Sequence, residues 1–280
     1  MEPCLGDRVD SGLKVEVLGN VQDGGVPHLG CSCDVCESAR GDCSERRYVG
    51  ALMVKENDRE DSGQYLIDAT PDIKYQIDGK FLDGVFISHG HLGHINGLPF
   101  FGTECLDTEH LPIYCTAEMR QYIMNNDPFR LMVDRNQIEL NEVNNNDSVE
   151  IRGGEIEFRN VLHRYVNTDT TSFMIKGEDR KLYYLSDIDE WTEEAANSVK
   201  EADIALVDGT FWSKEEIDRF EEVPHPPIKQ TMDKMEDWDT EIIFTHLNHT
   251  NPALREDTEE RKELEERGFK VAEKGMEIEL

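Results

Sequence analysis

Short apolar runs with a period of two recur along this chain, and that period puts alternate side chains on opposite faces of a strand. It predicts strands over 14–18, 51–55, 65–68, 112–116, 155–161, 171–175, 181–186 and 241–245. Two wholly apolar runs, Val85-Phe86-Ile87 and Ile204-Ala205-Leu206-Val207, predict strands covered on both faces. Short closing strands are expected at 269–271 and 276–280. Apolar spacing of three and four predicts helices over 117–124, 191–200, 228–235 and 258–267, the last ended by Gly268, with helical pieces at 37–40 and 71–77. The charged stretch 57–63 reads as a hairpin turn, and 143–148 as a polar linker. Strands grouped into two halves, with helices between and after them, predict an α/β (α+β) fold of two sheets sandwiched by helices, a single domain over 13–280 after a loose segment at 1–12.

Charge adds a constraint that the pattern does not contain. Sixty acidic residues stand against 29 basic ones, a formal net charge of −31 over 280 residues, and the acids are scattered instead of gathered in one tail. Such a surface repels the phosphates of nucleic acid and membrane, so neither is expected as a partner. It suits a cytoplasm of very high salt, where screening removes the self-repulsion, and a halophilic source is expected. The opening Met1-Glu2-Pro3-Cys4-Leu5-Gly6-Asp7 lacks the cationic and apolar regions of a leader, and no apolar run reaches membrane-spanning length. With seven cysteines, an odd number, the expectation is a cytoplasmic protein whose reduced thiols are free to bind metal.

The chemistry concentrates in His89-Gly90-His91-Leu92-Gly93-His94, directly after the apolar run at 85–87. Neutral imidazole offers a lone pair without a charge to desolvate, which makes it the commonest metal-binding side chain. Two histidines two positions apart at a strand end can turn toward one ion, and a third, past a glycine, can face a neighbouring ion. A surface histidine cluster or a purification tag is the plainer alternative; the internal position and the apolar frame disfavour a tag. His163, Asp187 and His246 each stand at the mouth of an apolar run, where loops converge. Singly, each reads equally as a cap or a surface group. Cys31, Cys33 and Cys36 form a knuckle of three thiolates that wants a fourth ligand to make a tetrahedral zinc site. A thioredoxin-like redox motif fits this spacing poorly. Cys4, Cys43, Cys105 and Cys115 read as unpaired, with Cys115 in the core, and His28 and His110 read as ordinary loop residues. Trp191 and Trp212 fit a pocket wall or plain packing; Gly24-Gly25 fit close approach of a substrate phosphate or plain turn geometry.

Taken in order, the histidine stretch with His163, Asp187 and His246 resembles the ligand set of the metallo-β-lactamase superfamily, a likeness that spans about 14–280. That resemblance implies an αββα sandwich with a dinuclear site at one edge. It implies His89, His91 and His163 on a first metal, His94 and His246 on a second, and Asp187 bridging them. His225 stands where hydrolytic relatives often carry a histidine and is implied as the group that protonates the leaving group; a loop residue between prolines is the other reading. Asp208 would orient a ligand imidazole. Two families within the superfamily are similar at 17–36: the coenzyme PQQ synthesis proteins B and the phosphonate-pathway cyclic phosphodiesterases. Segments 207–212, 225–228 and 250–252 look more like the former, 275–278 and the full histidine triplet like the latter. His249 resembles the phosphodiesterases' fourth ligand of the cysteine site, which would hold one structural Zn.

One departure matters. The usual pattern is His-x-His-x-Asp-His, and Gly93 stands where the aspartate belongs. The expectation is a second site short of a carboxylate, completed by water or left empty. The leading functional expectation is a hydrolase acting on a small phosphodiester or related ester, with one or two catalytic divalent metals (Zn, Mn or Fe). The alternatives are a single-metal enzyme of redox-cofactor biosynthesis and a non-catalytic metal-binding protein. The expected partner is a small-molecule substrate, with a homodimer left open.

Overall fold

The computed structural model describes residues 12–56, 63–77, 81–164, 168–218 and 220–280. Fourteen strands are formed among the described residues. The first six are β1 (Leu13–Gly19), β2 (Ala51–Glu56), β3 (Gln64–Ile67), β4 (Gly84–Phe86), β5 (Leu111–Cys115) and β6 (Ile138–Glu142). Next come β7 (Ser148–Ile151), β8 (Gly154–Val161), β9 (Thr170–Lys176), β10 (Lys181–Leu185) and β11 (Ile204–Asp208). The chain closes with β12 (Glu241–Thr245), β13 (Lys270–Val271) and β14 (Glu277–Glu279). They make two seven-stranded sheets, ordered β14-β1-β2-β3-β4-β5-β6 and β13-β12-β11-β10-β9-β8-β7. The α-helices are α1 (Asp34–Gly41), α2 (Ile73–Gln76), α3 (Leu92–Ile95) and α4 (Ala117–Asn125), then α5 (Phe129–Asp134), α6 (Glu193–Glu201), α7 (Ile228–Met235) and α8 (Glu259–Glu266).

The period of two sorts each strand between layers. Leu13, Val15 and Val17 of β1, Leu52 and Val54 of β2, and Phe86 of β4 meet Ile156, Phe158, Leu182, Tyr184, Ile204 and Leu206 of the other sheet in one buried cluster between the sheets. The alternate residues Met53, Val85 and Ile113 face outward onto Met119 and Ile123 of α4 and Phe129 and Met132 of α5. On the far side, Tyr183, Leu185, Ala205 and Val207 pack against Val199 of α6, Met232 of α7 and Leu264 of α8. The layers therefore run helix, sheet, sheet, helix, the expected α/β sandwich. None of the described helices is long and apolar enough to cross a membrane.

The expected strands and helices form within a residue or two of their ends, except that α1 begins three residues before the piece expected at 37–40, and the single turn of α3 was not expected. β6 and β7 were not expected, and the expected linker at 143–148 is the short connection between them that carries the chain from one sheet to the other. Their sequences, Ile-Glu-Leu-Asn-Glu and Ser-Val-Glu-Ile, hold two apolar residues each because both are outermost strands. Such a strand is recruited by its neighbour's ladder more than by its own pattern. Helix α5, behind Asp127-Pro128, was missed as well. The loose segment read at 1–12 and the turn read at 57–63 lie outside the described residues apart from Gly12 and Gly63.

One feature of the topology positions the site. In both sheets the ladder changes from antiparallel to parallel: β3 to β6 are parallel in the first, β10 to β13 in the second. Parallel neighbours bring their carboxyl ends to one edge, where open sheets place their ligands. His89 follows β4, Asp187 follows β10, Asp208 ends β11 and His246 follows β12.

Candidate metal centre

Three groups of donors form at that edge. His89, His91, His163 and Asp187 bring one ligand atom each within 4.8 Å of one another, and so do Asp23, His94 and His246. In the first group, His163 Nε2 lies 3.3 Å from His91 Nδ1 and 3.8 Å from Asp187 Oδ1. Asp187 also faces the second group: its Oδ2 is 3.3 Å from His94 Nε2 and its Oδ1 3.4 Å from His246 Nε2. One carboxylate therefore stands between both sets of imidazoles.

The far nitrogen of most of these rings is already held. Nδ1 lies 2.7 Å from Asp68 Oδ2 in His94, 2.8 Å from Asp189 Oδ1 in His163, 3.0 Å from Ser88 Oγ in His89 and 3.2 Å from Thr210 Oγ1 in His246. A ring whose Nδ1–H is donated outward presents the lone pair of Nε2 inward, the arrangement that orients metal-ligating histidines. Nε2 of His89, His94 and His246 and Oδ2 of Asp187 are buried and make no hydrogen bond. A buried polar atom left so costs about 1–3 kcal/mol, and four of them facing two small spaces fit a pair of cations.

The electrostatics differ between the two groups. Burial pushes His89 well below the ordinary imidazole range and His91 down to about 4, and it lowers His163, against the pull of Asp187. These three stay neutral, the ligand form. Burial also works against charge on His94, but Asp68, Asp187 and Asp23 outweigh it and raise His94 well above the usual value. Asp187 and Asp23 raise His246 in the same way. Asp187, in turn, is raised by burial but held well below the carboxylate range by the surrounding imidazoles. The second group is therefore an anionic cage that draws positive charge.

Cys31, Cys33, Cys36 and His249 form the third group, again with ligand atoms within 4.8 Å. His249 Nδ1 lies 3.5 Å from Cys31 Sγ and 3.7 Å from Cys33 Sγ. The backbone N–H of Cys33 lowers the Cys31 thiol, while burial pushes Cys36 up to about 12. Three thiols and one imidazole make the donor set of a tetrahedral zinc site, where the ion itself deprotonates a resistant thiol.

The segment 64–247 matches the model of the Beta-lactamase superfamily domain. The chain belongs to the metallo-β-lactamase superfamily. It is similar to coenzyme PQQ synthesis protein B of Methylobacillus flagellatus, 26% identical over 311 residues that cover 95% of this chain and 99% of that one. The same named protein from Methylorubrum extorquens strain PA1 is 26% identical, covering 96% and 100%. Among solved structures, Zn(2+)-bound PqqB from Methylobacterium extorquens superposes with a TM-score of 0.83 at 23% identity, covering 95% and 100% of the two chains. A diphosphatase of the PhnP family superposes at 0.72, also at 23% identity, covering 96% and 97%.

Within this superfamily member, every residue read from the sequence as a ligand stands in one of the three groups. His225 stands beside them. It is buried, its Nδ1 lies 2.6 Å from Asp208 Oδ2, and its ring centroid is 5.7 Å from that of His163. Asp208 orients His225, and its other oxygen accepts from Thr210 N at 2.9 Å; it touches no ligand imidazole directly. The step from Asp208 to a ligand ring passes through Thr210 Oγ1 to His246. Trp191 and Trp212 prove to be packing residues of the outer helical layer. His28 and His110 are loop residues outside the three groups, and the His28 ring packs tilted against that of His249 with centroids 4.4 Å apart. Gly24 and Gly25 line a cavity of about 460 Å³ shared with Asp23, Arg164, Phe211 and Asn248.

Asp23 is the donor that the sequence did not yield. It sits in a loop after β1, with Oδ1 3.5 Å from His94 Nε2 and 3.8 Å from His246 Nε2. The second group is thus not short of a carboxylate, contrary to what Gly93 suggested. The one available signal was Gly93 itself, because a lost side chain at a crowded centre leaves room that something else must fill.

Proposed function

We propose that this chain is a metal-dependent hydrolase of a small phosphodiester or a related ester, working with two divalent cations. The observation that carries the reading is Asp187, a buried carboxylate facing both imidazole groups at 3.3–3.8 Å. His89, His91 and His163 would hold one ion, His94 and His246 the other, with Asp187 shared between them. Two cations held there lower the pKa of a water, orient it and offset the charge that develops on the ester oxygens.

The chain's own residues do the rest. His225 gives a proton to the departing oxygen from Nε2, while Asp208, at 2.6 Å from Nδ1, keeps the ring oriented. Arg164 Nη1 donates to His225 Nε2 at 3.4 Å and puts a fixed positive charge at the cavity wall where an anionic ester would lie; the guanidinium has to turn to the ester before that nitrogen carries the proton. Phe211 offers that ester's organic part an apolar face. Support also comes from the likeness to a diphosphatase.

The test is turnover by metal-loaded protein of bis(4-nitrophenyl) phosphate and of a diester with an alkoxide leaving group. His225→Ala is expected to slow the alkoxide ester by about 10²- to 10⁴-fold and to spare the nitrophenyl ester, whose leaving group needs no proton. Equal losses on both esters would remove His225 as the acid. A second reading, an enzyme of redox-cofactor biosynthesis similar to PQQ synthesis protein B, is favoured by near-complete coverage of those relatives and the 0.83 superposition. One redox-active ion per chain with no ester turnover would decide for it.

A further inference from the structure

Asp23, the three cysteines and His249 all lie outside the matched segment 64–247, yet two short loops tie them to the centre. We propose that Asp23 is the carboxylate ligand of the second catalytic metal, standing in for the side chain missing at Gly93, and that a cation on Cys31, Cys33, Cys36 and His249 holds it there. The proposal rests on the metal-binding part of the reading above but not on hydrolysis.

The first argument is space. A Cβ on Gly93 would lie 2.3 Å from Asp23 Oδ1, 2.8 Å from its Cγ and 2.9 Å from its Cα. All three are well inside contact distance, and the last is backbone, which cannot swing aside. A side chain at 93 and the carboxylate of Asp23 exclude each other. Either can serve the two imidazoles of this cage, and this chain has taken the second option. The buried Nε2 atoms of His94 and His246, which make no hydrogen bond, are the ones Asp23 faces.

The second argument is connection. Asp23 rides on a loop whose other end carries Cys31, and His246 stands three residues before His249. Both loops therefore offer one ligand to the second catalytic site and at least one to the thiolate site. They are laced together on the near side, where Gln22 N donates to Leu247 O at 3.1 Å and Leu247 N to Asn20 O at 2.9 Å. On the far side His28 packs against His249 and its N–H donates to Cys36 Sγ at 3.2 Å. Gly24 completes the link, since a Cβ there would strike the His28 ring at 2.4 Å. A cation joining Cys31 to His249 closes this ring of contacts. It removes beforehand the freedom that Asp23 would lose on binding metal. Coupling of this kind is reciprocal, so each site raises the other's affinity.

Metal affinity tests this without reference to turnover. Zn2+ is titrated against a chromophoric chelator, and Co2+ identifies the thiolate site by its sulfur-to-metal absorption. Asp23→Ala is expected to weaken one catalytic ion by about 10- to 100-fold, at least the effect of losing an outer partner of a ligand, and to leave the other two ions in place. Gly93→Asp, alone or in the Asp23→Ala background, is expected to weaken the site, because the Asp23 Cα at 2.9 Å crowds a side chain at 93 whatever stands at 23. Three ions held as tightly by Asp23→Ala as by the unchanged chain would overturn the ligand assignment. His249→Asn is expected to empty the thiolate site and lower the second catalytic ion's affinity about tenfold, with the first ion unaffected; an empty thiolate site beside an unchanged second ion would overturn the coupling. Should that variant not fold, stripping zinc from the thiols of the folded chain with a mercurial gives the same reading. A chain that binds all three ions as expected but cleaves no ester would sink the hydrolase reading alone.

Discussion

The two catalytic donor groups share Asp187 and little else. His89 and His91 leave the end of β4, His163 follows β8, and Asp187 follows β10, so the first group hangs from strands of both sheets. The second draws His94 from the single turn of α3, His246 from a residue at φ +60°, and Asp23 from a loop. A side chain other than glycine is seldom held in that left-handed region unless its surroundings impose it, and such strain gathers at functional sites. Charge divides them as well: burial keeps the first group's imidazoles neutral, while carboxylates dominate the second. The first is a cage of neutral imidazoles around one carboxylate. The second is an anionic one whose geometry depends on loops, and it is the natural place for affinity to be tuned.

His91→Ala tests this division most severely. It removes the least buried donor of the first group without touching the second. The expected outcome is loss of one ion per chain and turnover below about a hundredth of normal, a larger effect than the 10- to 100-fold typical of outer partners. The second ion should stay. Loss of both ions together, measured by elemental analysis, would mean that the groups are one cooperative unit and that the contrast drawn here is false.

The same contrast governs what the sequence could reveal. Wherever a donor sits at the end of an apolar strand, the strand announces it: His89, His163, Asp187 and His246 were all legible from the run before them. The period of two also fixed which strand faces entered which layer. Asp23 was not legible, because nothing local distinguishes it from the many other acids of this chain, and its role comes from contacts with His94 and His246, far away along the chain. Asp68 escaped for a similar reason. It follows an apolar strand as Asp187 does, but its task, holding His94 Nδ1 at 2.7 Å, depends on where α3 turns. β6 and β7 stayed hidden since an outermost strand needs few apolar residues. Strand-borne chemistry is written locally, and loop-borne chemistry is written in the packing.

Asp68→Asn should separate the groups from the other side. Asp68 is fully buried at φ +65°, a conformation asparagine accepts, so the backbone is not disturbed. Its Oδ1 accepts from Ser88 N at 2.8 Å, and Oδ2 serves both Ser88 Oγ at 2.9 Å and His94 Nδ1. An amide has one acceptor oxygen and no charge, so it cannot keep all three bonds. The second ion's affinity is expected to fall about 10- to 100-fold while the first is unchanged. Equal weakening of both ions in a zinc titration would show that the first group also leans on Asp68.

The smallest effect, and the finest test, comes from pH. A cation must displace any proton its ligands carry, so affinity rises with pH wherever a ligand is protonated in the metal-free chain. His89, His91 and His163 are lowered by burial, His91 to about 4, and near pH 7 the first ion displaces no proton from them. His94 and His246 are raised by their carboxylates, so at the same pH the second ion competes with protons there. The second affinity should climb by about tenfold per pH unit for each proton displaced, while the first stays level until the pH falls into the lowered range of its own imidazoles, below the ordinary histidine value. Dialysis against buffered zinc between about pH 5 and 8, with metal counted per chain, is expected to show the second ion lost on acidification well before the first. Parallel loss of both would remove the electrostatic difference and leave loop geometry as the only distinction between the two cages.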